Sequence, residues 1–356
     1  MRLLISGYYG FGNAGDEAIL AGTLNALRRR LPECEPVVLS ATPEATRRAY
    51  GVQAEQRWHW PSVWRAIGAA DLVLQGGGGL IQDSTSRKSA LYYLGILAAA
   101  RLRRTPFMVF AQGIGPLRYR VTRALTGSLF RRAAAVTVRD ENSAGLLVEL
   151  GLSHESITVT ADPAALVDPA PPEDVAALLP PRENGPRVGL ALRPAEGSAS
   201  VLEGALGAAR RLRDERGAQV VPLALHARDD ADLAARAAQE LDARAVGVGM
   251  ELSPERWVAL VGSLDFVIAK RLHACLFAAA QGVPFVALSY DPKVAAFASR
   301  ANALWAPLEA TLDEVVRLID RAWAERDAHT AARAAFADEL RTSAERNLDL
   351  LEALVR

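Results

Sequence analysis

The segment from Leu264 to Lys293 constrains the fold more than any other, because it reads as strand, helix and strand in one short stretch. The apolar run before Ala269 predicts a buried strand, Leu272 to Gln281 an alanine-rich helix stopped by Gly282, and Phe285 to Ser289 a second strand. Strands joined by a helical crossover run parallel in one sheet. The polar residues of the unit gather at two places, Lys270-Arg271-Leu272-His273 and Tyr290-Asp291-Pro292-Lys293, each directly after a strand. Both places fall on the carboxyl edge of the sheet, where open α/β sheets bind ligands. The helix starting near Arg271 adds free N–H groups and a positive dipole end. The pattern predicts a site for a small, multiply charged anion.

The same alternation runs along the chain. Strands are expected at Leu3 to Ser6, Pro36 to Ser40, Asp71 to Gln75, Pro106 to Ala111, Ala134 to Val138 and Ile157 to Thr160, with helices between them. Near-continuous apolar strands alternating with helices mean a parallel sheet covered on both faces. Prolines then cluster from Asp168 to Pro186, as in an interdomain connection. A second series follows, with strands near Val188 to Leu192, Gln219 to Leu225, Arg244 to Val248, Phe266 to Ala269 and Phe285 to Ser289. A chain of 356 residues is too long for one ordinary core. The expected architecture is α/β, two doubly wound Rossmann-like domains facing a cleft in a GT-B-like arrangement, in preference to one very large sheet. The first domain spans 1–170, a hinge-like linker 171–186, the second domain 187–325, and a C-terminal helix, 326–356, packs back toward the first.

Charge excludes some partners. Lysine and arginine balance aspartate and glutamate, 41 against 41, so no global field draws the chain to nucleic acid. Cys34 and Cys275 sit in apolar settings, which favours a reducing compartment. The apolar start is too short for a signal peptide, and no apolar run reaches the roughly eighteen residues of a membrane span. A cytoplasmic location is expected.

After the first strand, Gly10, Gly12 and Gly15 fit G-x-G-x-x-G, but the second strand ends at Ser40 with no acidic residue placed for a ribose, and Asp16-Glu17 puts negative charge where a pyrophosphate would sit. Gly12, Asn13 and Gly15 are read as ligand-approach positions. Asp16 reads either as a carboxylate offsetting the helix dipole or as the acceptor of a sugar hydroxyl proton. Gly77 and Gly78 belong to a run of four glycines that no Lys-Ser/Thr pair follows, so it is not a Walker A loop; ligand approach is favoured over a tight turn. Gly113 repeats the pattern, and Arg139 ends a strand at the same edge, where a bidentate cation suits an anion. Arg193 and His226 follow strands of the second domain, where either can line the cleft and bind substrate, although for His226 alone capping of the next helix near Asp229 is favoured. No histidine pair has metal-ligand spacing, so no metal is expected. His273 can be a helix histidine satisfied by a carbonyl. Beside Lys270, Arg271 and Lys293, a bound anion instead favours its protonated form, as general acid catalysis requires.

Assembled, these residues resemble the polysaccharide pyruvyl transferase family, CsaB-type members above all. The likeness rests on Gly10-Phe-Gly-Asn-Ala-Gly-Asp-Glu17, Gly76-Gly-Gly-Gly-Leu-Ile-Gln-Asp83, Gln112-Gly-Ile-Gly-Pro116, Val138-Arg-Asp140, Arg271-Leu-His273 and Tyr290-Asp-Pro-Lys293, in that order over nearly the whole chain. It implies transfer of a pyruvyl group from phosphoenolpyruvate onto two hydroxyls of a sugar as a ketal, with phosphate released and no cofactor. The implied acceptor is N-acetylmannosamine of a lipid-linked cell-wall polysaccharide precursor, whose product anchors surface-layer proteins, and this brings transient contact with the inner membrane face. The family's functional arginine, histidine and lysine fall on Arg139, His273 and Lys293, and its acidic residue on Asp16. Two other readings stand beside it, a GT-B glycosyltransferase using a nucleotide sugar and a non-catalytic glycan-binding protein. Tyr8, Tyr9, Phe11, Trp58 and Trp60 can stack on sugar faces or simply pack.

Overall fold

The computed structural model of the protein describes residues 1–84, 86–182 and 185–355; residues 183 and 184 of the expected connection therefore lie outside the described residues. The chain divides into two compact units. Unit 1 comprises residues 1–11, 16–167 and 340–356, and unit 2 residues 12–15 and 168–339.

Unit 1 holds β1 (Arg2–Tyr9), β2 (Glu35–Ser40), β3 (Gln53–Gln56), β4 (Leu72–Gln75), β5 (Gly78–Ile81), β6 (Phe107–Ile114), β7 (Ala135–Val138) and β8 (Ile157–Val159). Its helices are α1 (Ala14–Arg30, most of it in this unit), α2 (Pro43–Tyr50), α3 (Trp60–Ala69), α4 (Arg87–Arg103), α5 (Arg120–Phe130) and α6 (Glu141–Glu149). The strands pair in parallel in the order β3-β2-β1-β4-β6-β7-β8, with β5 beside the end of β6. Sequence order reverses between β1 and β4. At such a switch point the two connections leave for opposite faces and open a crevice at the carboxyl ends of the strands. The core is built from these strands and the helices over them, with every residue of β6 buried.

Unit 2 holds β9 (Arg187–Ala191), β10 (Gln219–Pro222), β11 (Phe266–Ala269), β12 (Phe285–Leu288) and β13 (Trp305–Ala306). Its helices are α7 (Glu173–Ala176), α8 (Ala199–Arg216), α9 (Ala231–Glu240), α10 (Pro254–Gly262), α11 (Leu272–Ala280), α12 (Pro292–Arg300), α13 (Leu312–Ala324) and the start of α14 (Thr330–Val355). The parallel order β10-β9-β11-β12-β13 places the switch point between β9 and β11.

Three strands escape the hydrophobic pattern. β3 reads Gln-Ala-Glu-Gln on the sheet edge, β5 is drawn from the four-glycine run, and β13 is two residues long. Conversely, Arg244 to Val248 forms no strand. It makes a single parallel bridge, Leu223 to Val246, before Gly247 turns the backbone at φ +89°.

Candidate active site

In unit 1 the residues of interest sit around the β1/β4 switch point. Glu17 is structural: one oxygen accepts the Gly10 N–H at 2.8 Å and the other the Tyr50 hydroxyl at 2.8 Å, which pins the glycine loop. Asp16, in the first turn of α1, is 9% exposed. Gly78 has φ +99°, and a Cβ added there would stand 3.0 Å from Asp16 Oδ1, so glycine leaves room for that carboxylate. Gly77 instead packs against Ile19 of α1 and the Ala111 carbonyl of β6. The glycine run thus serves helix packing at one residue and the Asp16 niche at the next. Gly113 makes space for Arg139, since a Cβ there would lie 2.7 Å from the guanidinium Nε. Arg139 Nη1 donates to Asp162 Oδ2 at 2.6 Å, and both side chains are nearly buried. Burial opposes the Arg139 charge, but the Asp162 and Asp140 carboxylates outweigh it and hold its pKa above the ordinary value. Its charge is already paired.

Among the aromatic residues, Tyr9 is buried. Tyr8 and Phe11 stack at 4.1 Å, and Trp58, 60% exposed, meets Phe11 edge-on at 6.5 Å. The buried Arg57 guanidinium lies 4.6 Å from the Tyr92 ring and 4.9 Å from the Trp58 ring, holding this cluster together.

Unit 2 includes the short segment 12–15. Asn13 forms an antiparallel bridge with His226, and the Ala14 N–H donates to the Leu225 carbonyl at 2.8 Å. Gly12 approaches Ala227, whose N–H donates to its carbonyl at 3.3 Å. Asn13 Oδ1 accepts the Gly15 N–H at 3.1 Å. A Cβ on Gly15 would overlap the His273 imidazole, so the ring lies flush against this backbone. His273 is the second residue of α11 and is half-buried.

His226 closes the turn that leads into α9, whose N-cap is Asp230, rather than capping the helix itself. Its Nδ1 accepts the Asp229 N–H at 3.1 Å and its own N–H donates to Asp230 at 2.9 Å. Burial lowers its pKa below the ordinary histidine value, against the opposing pull of the Asp229 carboxylate. Arg271 is held by the fully buried Asp230, with Nε 2.8 Å from Oδ2 and Nη2 bonded to Oδ1. Like Arg139, it enters the site compensated. Lys293 stands in the first turn of α12, its N–H donating to the capping Asp291 at 2.9 Å. Arg193, after β9, donates from Nη1 to the Tyr290 hydroxyl at 2.6 Å and lies 4.4 Å from that ring's centre. Lys270, after β11, is fully buried, and burial followed by the Arg193 charge pulls its ammonium down to about 8.

The structure brings His273, Arg193, Arg271, Gly12, Asn13, Gly15, His226 and Lys293 to the carboxyl edge of unit 2, and Asp16, Gly78, Gly113 and Arg139 to that of unit 1. Sequence reasoning put Asp162 after the sixth strand, in a position similar to that of Arg139, but foresaw neither its ion pair nor that of Asp230. Each is far from its arginine in the chain, and no local pattern announces such pairing. Among the described residues, no group of three or more His, Cys, Asp or Glu could hold a metal ion, and no helix is long and apolar enough to cross a membrane.

The fold is similar to that of several sugar-nucleotide proteins. A putative UDP-N-acetylglucosamine 2-epimerase from Listeria monocytogenes is 13% identical with a TM-score of 0.70, covering 99% of this chain and 96% of its own. S. aureus MnaA, solved with UDP, is 14% identical with a TM-score of 0.67, covering 100% and 97%. Anabaena Alr3699/HepE in complex with UDP-glucose is 15% identical with a TM-score of 0.63, covering 100% and 99%. These likenesses establish a GT-B-like pair of α/β domains. No curated protein sequence matches the chain. The profile of polysaccharide pyruvyl transferases matches residues 13–292, a span that runs from the Asn13 loop through the Asp291 cap, and on that ground the chain belongs to the polysaccharide pyruvyl transferase family, enzymes that transfer pyruvate onto polysaccharide.

Proposed function

We propose that the protein moves the pyruvyl group of phosphoenolpyruvate onto two hydroxyls of an amino sugar, N-acetylmannosamine of a lipid-linked cell-wall precursor, at the cytoplasmic face of the membrane. The observation that carries the donor assignment is the sorting of charge. Arg139 in unit 1 is neutralised by Asp162 and Arg271 in unit 2 by Asp230, whereas Arg193 and Lys270, after the adjacent strands β9 and β11 of unit 2, each keep a buried nitrogen with no acceptor among the described residues. A donor bearing a carboxylate and a phosphate suits the second set, and a neutral sugar suits the edge with Asp16 and the glycines.

In this reading His273 delivers a proton to the methylene carbon, which becomes a methyl group while positive character develops at its neighbour. One sugar hydroxyl bonds to that carbon, and the second displaces phosphate to close the ketal. Of the two hydroxyl protons released, one restores the acid and the other leaves with phosphate. Asp16 orients or deprotonates the acceptor. Gly15 is the close-approach position that seats the imidazole. Incubation with phosphoenolpyruvate and an N-acetylmannosamine-terminated glycan, followed by mass spectrometry and phosphate release, tests the reaction. His273→Gln is expected to lose at least about a hundredfold in rate, and near-normal turnover sinks its role as acid.

A second reading, a glycosyltransferase using a nucleotide sugar, draws on the fold shared with proteins solved with UDP and UDP-glucose. Calorimetric titration with phosphoenolpyruvate against UDP-sugars separates the two.

A further inference from the structure

At the switch point of the second sheet, two donor atoms are buried with no acceptor among the described residues, Lys270 Nζ and Arg193 Nε. They belong to adjacent strands. Arg193 follows β9 and Lys270 follows β11, with Ala191 and Ala269 in register and the Lys270 N–H donating to the Ala191 carbonyl at 2.8 Å. Tyr290 follows β12, on the other side of β11. The Arg193 to Tyr290 hydrogen bond therefore joins the segments after the two strands that flank β11, and Lys270, at the end of β11, is fully buried. A buried cation beside a second cation, with no carboxylate, is an incomplete arrangement in a native fold. What completes it is an oxyanion, and the crevice of a β9/β11 switch point, with Lys270 two residues ahead of the start of α11, is where such a ligand binds.

We propose that Arg193, Lys270 and Tyr290 form a closed oxyanion subsite that takes a phosphate dianion, free or as a monoester, when the Tyr290 phenol releases Arg193. Lys270 and Arg193 then supply charge-assisted donors to the phosphoryl oxygens. Arg271 lies next in the chain but its charge is spent on Asp230, so the selective group here is the lysine. The subsite deepens the donor assignment and rests on it only for the identity of the ester; phosphate binding itself stands apart.

Calorimetry on the full-length protein with inorganic phosphate, phosphoenolpyruvate and pyruvate tests the subsite. Phosphate is expected to bind and to compete with phosphoenolpyruvate, while pyruvate, lacking a phosphoryl group, does not displace it. Lys270→Met weakens phosphate more than about tenfold with the folded state intact by circular dichroism. Tyr290→Phe keeps or tightens it, because Arg193 is no longer held by the phenol. Lys270→Met with unchanged phosphate affinity overturns the proposal, as does phosphoenolpyruvate binding that phosphate cannot displace. Lysine-dependent phosphate binding without any pyruvyl transfer overturns the donor reading alone.

Discussion

Two single residues carry the sharpest predictions. At Gly15 a side chain has no room, because the first atom beyond Cα would enter the His273 ring. Gly15→Ala is therefore expected to displace the imidazole and lower kcat by about a hundredfold or more while thermal unfolding moves little, a split that steady-state kinetics and calorimetry together would reveal. At Lys270 the ammonium is pulled from its ordinary 10.5 to about 8, first by burial and then by Arg193. Between those values the unfolded chain holds a proton that the folded one has shed, so stability rises with pH through that window. Keeping the charge at pH 7 costs on the order of 3 kcal/mol. Lys270→Met should be the more stable protein at pH 7, and its advantage should shrink from pH 8 to pH 10; an advantage flat across that range would refute the assignment. The sequence placed both residues at a strand's carboxyl edge, but not the ring against the glycine or the buried lysine within the field of Arg193, which arise between chain segments far apart.

At the scale of elements, the motif Gly76 to Asp83 proved to be composite. Its glycines admit α1 and Asp16, whereas its last residue caps a different helix. The N-cap position of α5, Tyr119, makes no side-chain cap of its own. Asp83 supplies it from a distance, accepting the Arg118 N–H at 2.7 Å, the Tyr119 N–H at 3.1 Å and the Thr122 hydroxyl. Burial alone would raise the Asp83 pKa, but the Arg118 N–H, the Thr122 hydroxyl and the Tyr119 N–H together lower it. A carboxylate with a depressed folded pKa contributes stability that is complete above its unfolded value of about 3.9 and is lost as pH falls through the folded value. Asp83→Asn is expected to cost about 1–3 kcal/mol at pH 7, measured by urea unfolding, and to flatten the acid limb of the stability profile. The sequence alternation expects a helix between the strands at Pro106 to Ala111 and Ala134 to Val138, and α5 lies there. Capping by a residue 36 positions away leaves no periodic trace.

At the scale of the molecule, the chain passes between its units four times, after Phe11, Gly15, Val167 and Glu339. Within unit 1 the last segment is fastened twice. Arg30 of α1 meets Glu345, Asp349 and Glu352, and the buried Asn347 accepts from Thr137 at 2.6 Å and Thr160 at 2.8 Å while donating to the Ala161 and Ala344 carbonyls. Asn347→Leu removes these four side-chain hydrogen bonds from the core, so a loss of about 2–4 kcal/mol is expected; a change under about 0.5 kcal/mol on urea unfolding would show the latch to be idle. The sequence by itself determined the two parallel α/β series, the strand-end loops and the residue types that suit an anion and a sugar, because apolar periodicity and glycine placement are local records of burial and backbone shape. Only the tertiary structure decided which charges remain available. Arg139 and Arg271 look as exposed to an anion as Lys270 in the sequence, yet Asp162 and Asp230 neutralise the arginines and Lys270 stays uncompensated. Ion pairing between segments depends on where strands lie in the sheet, and strand order is a property of the whole fold.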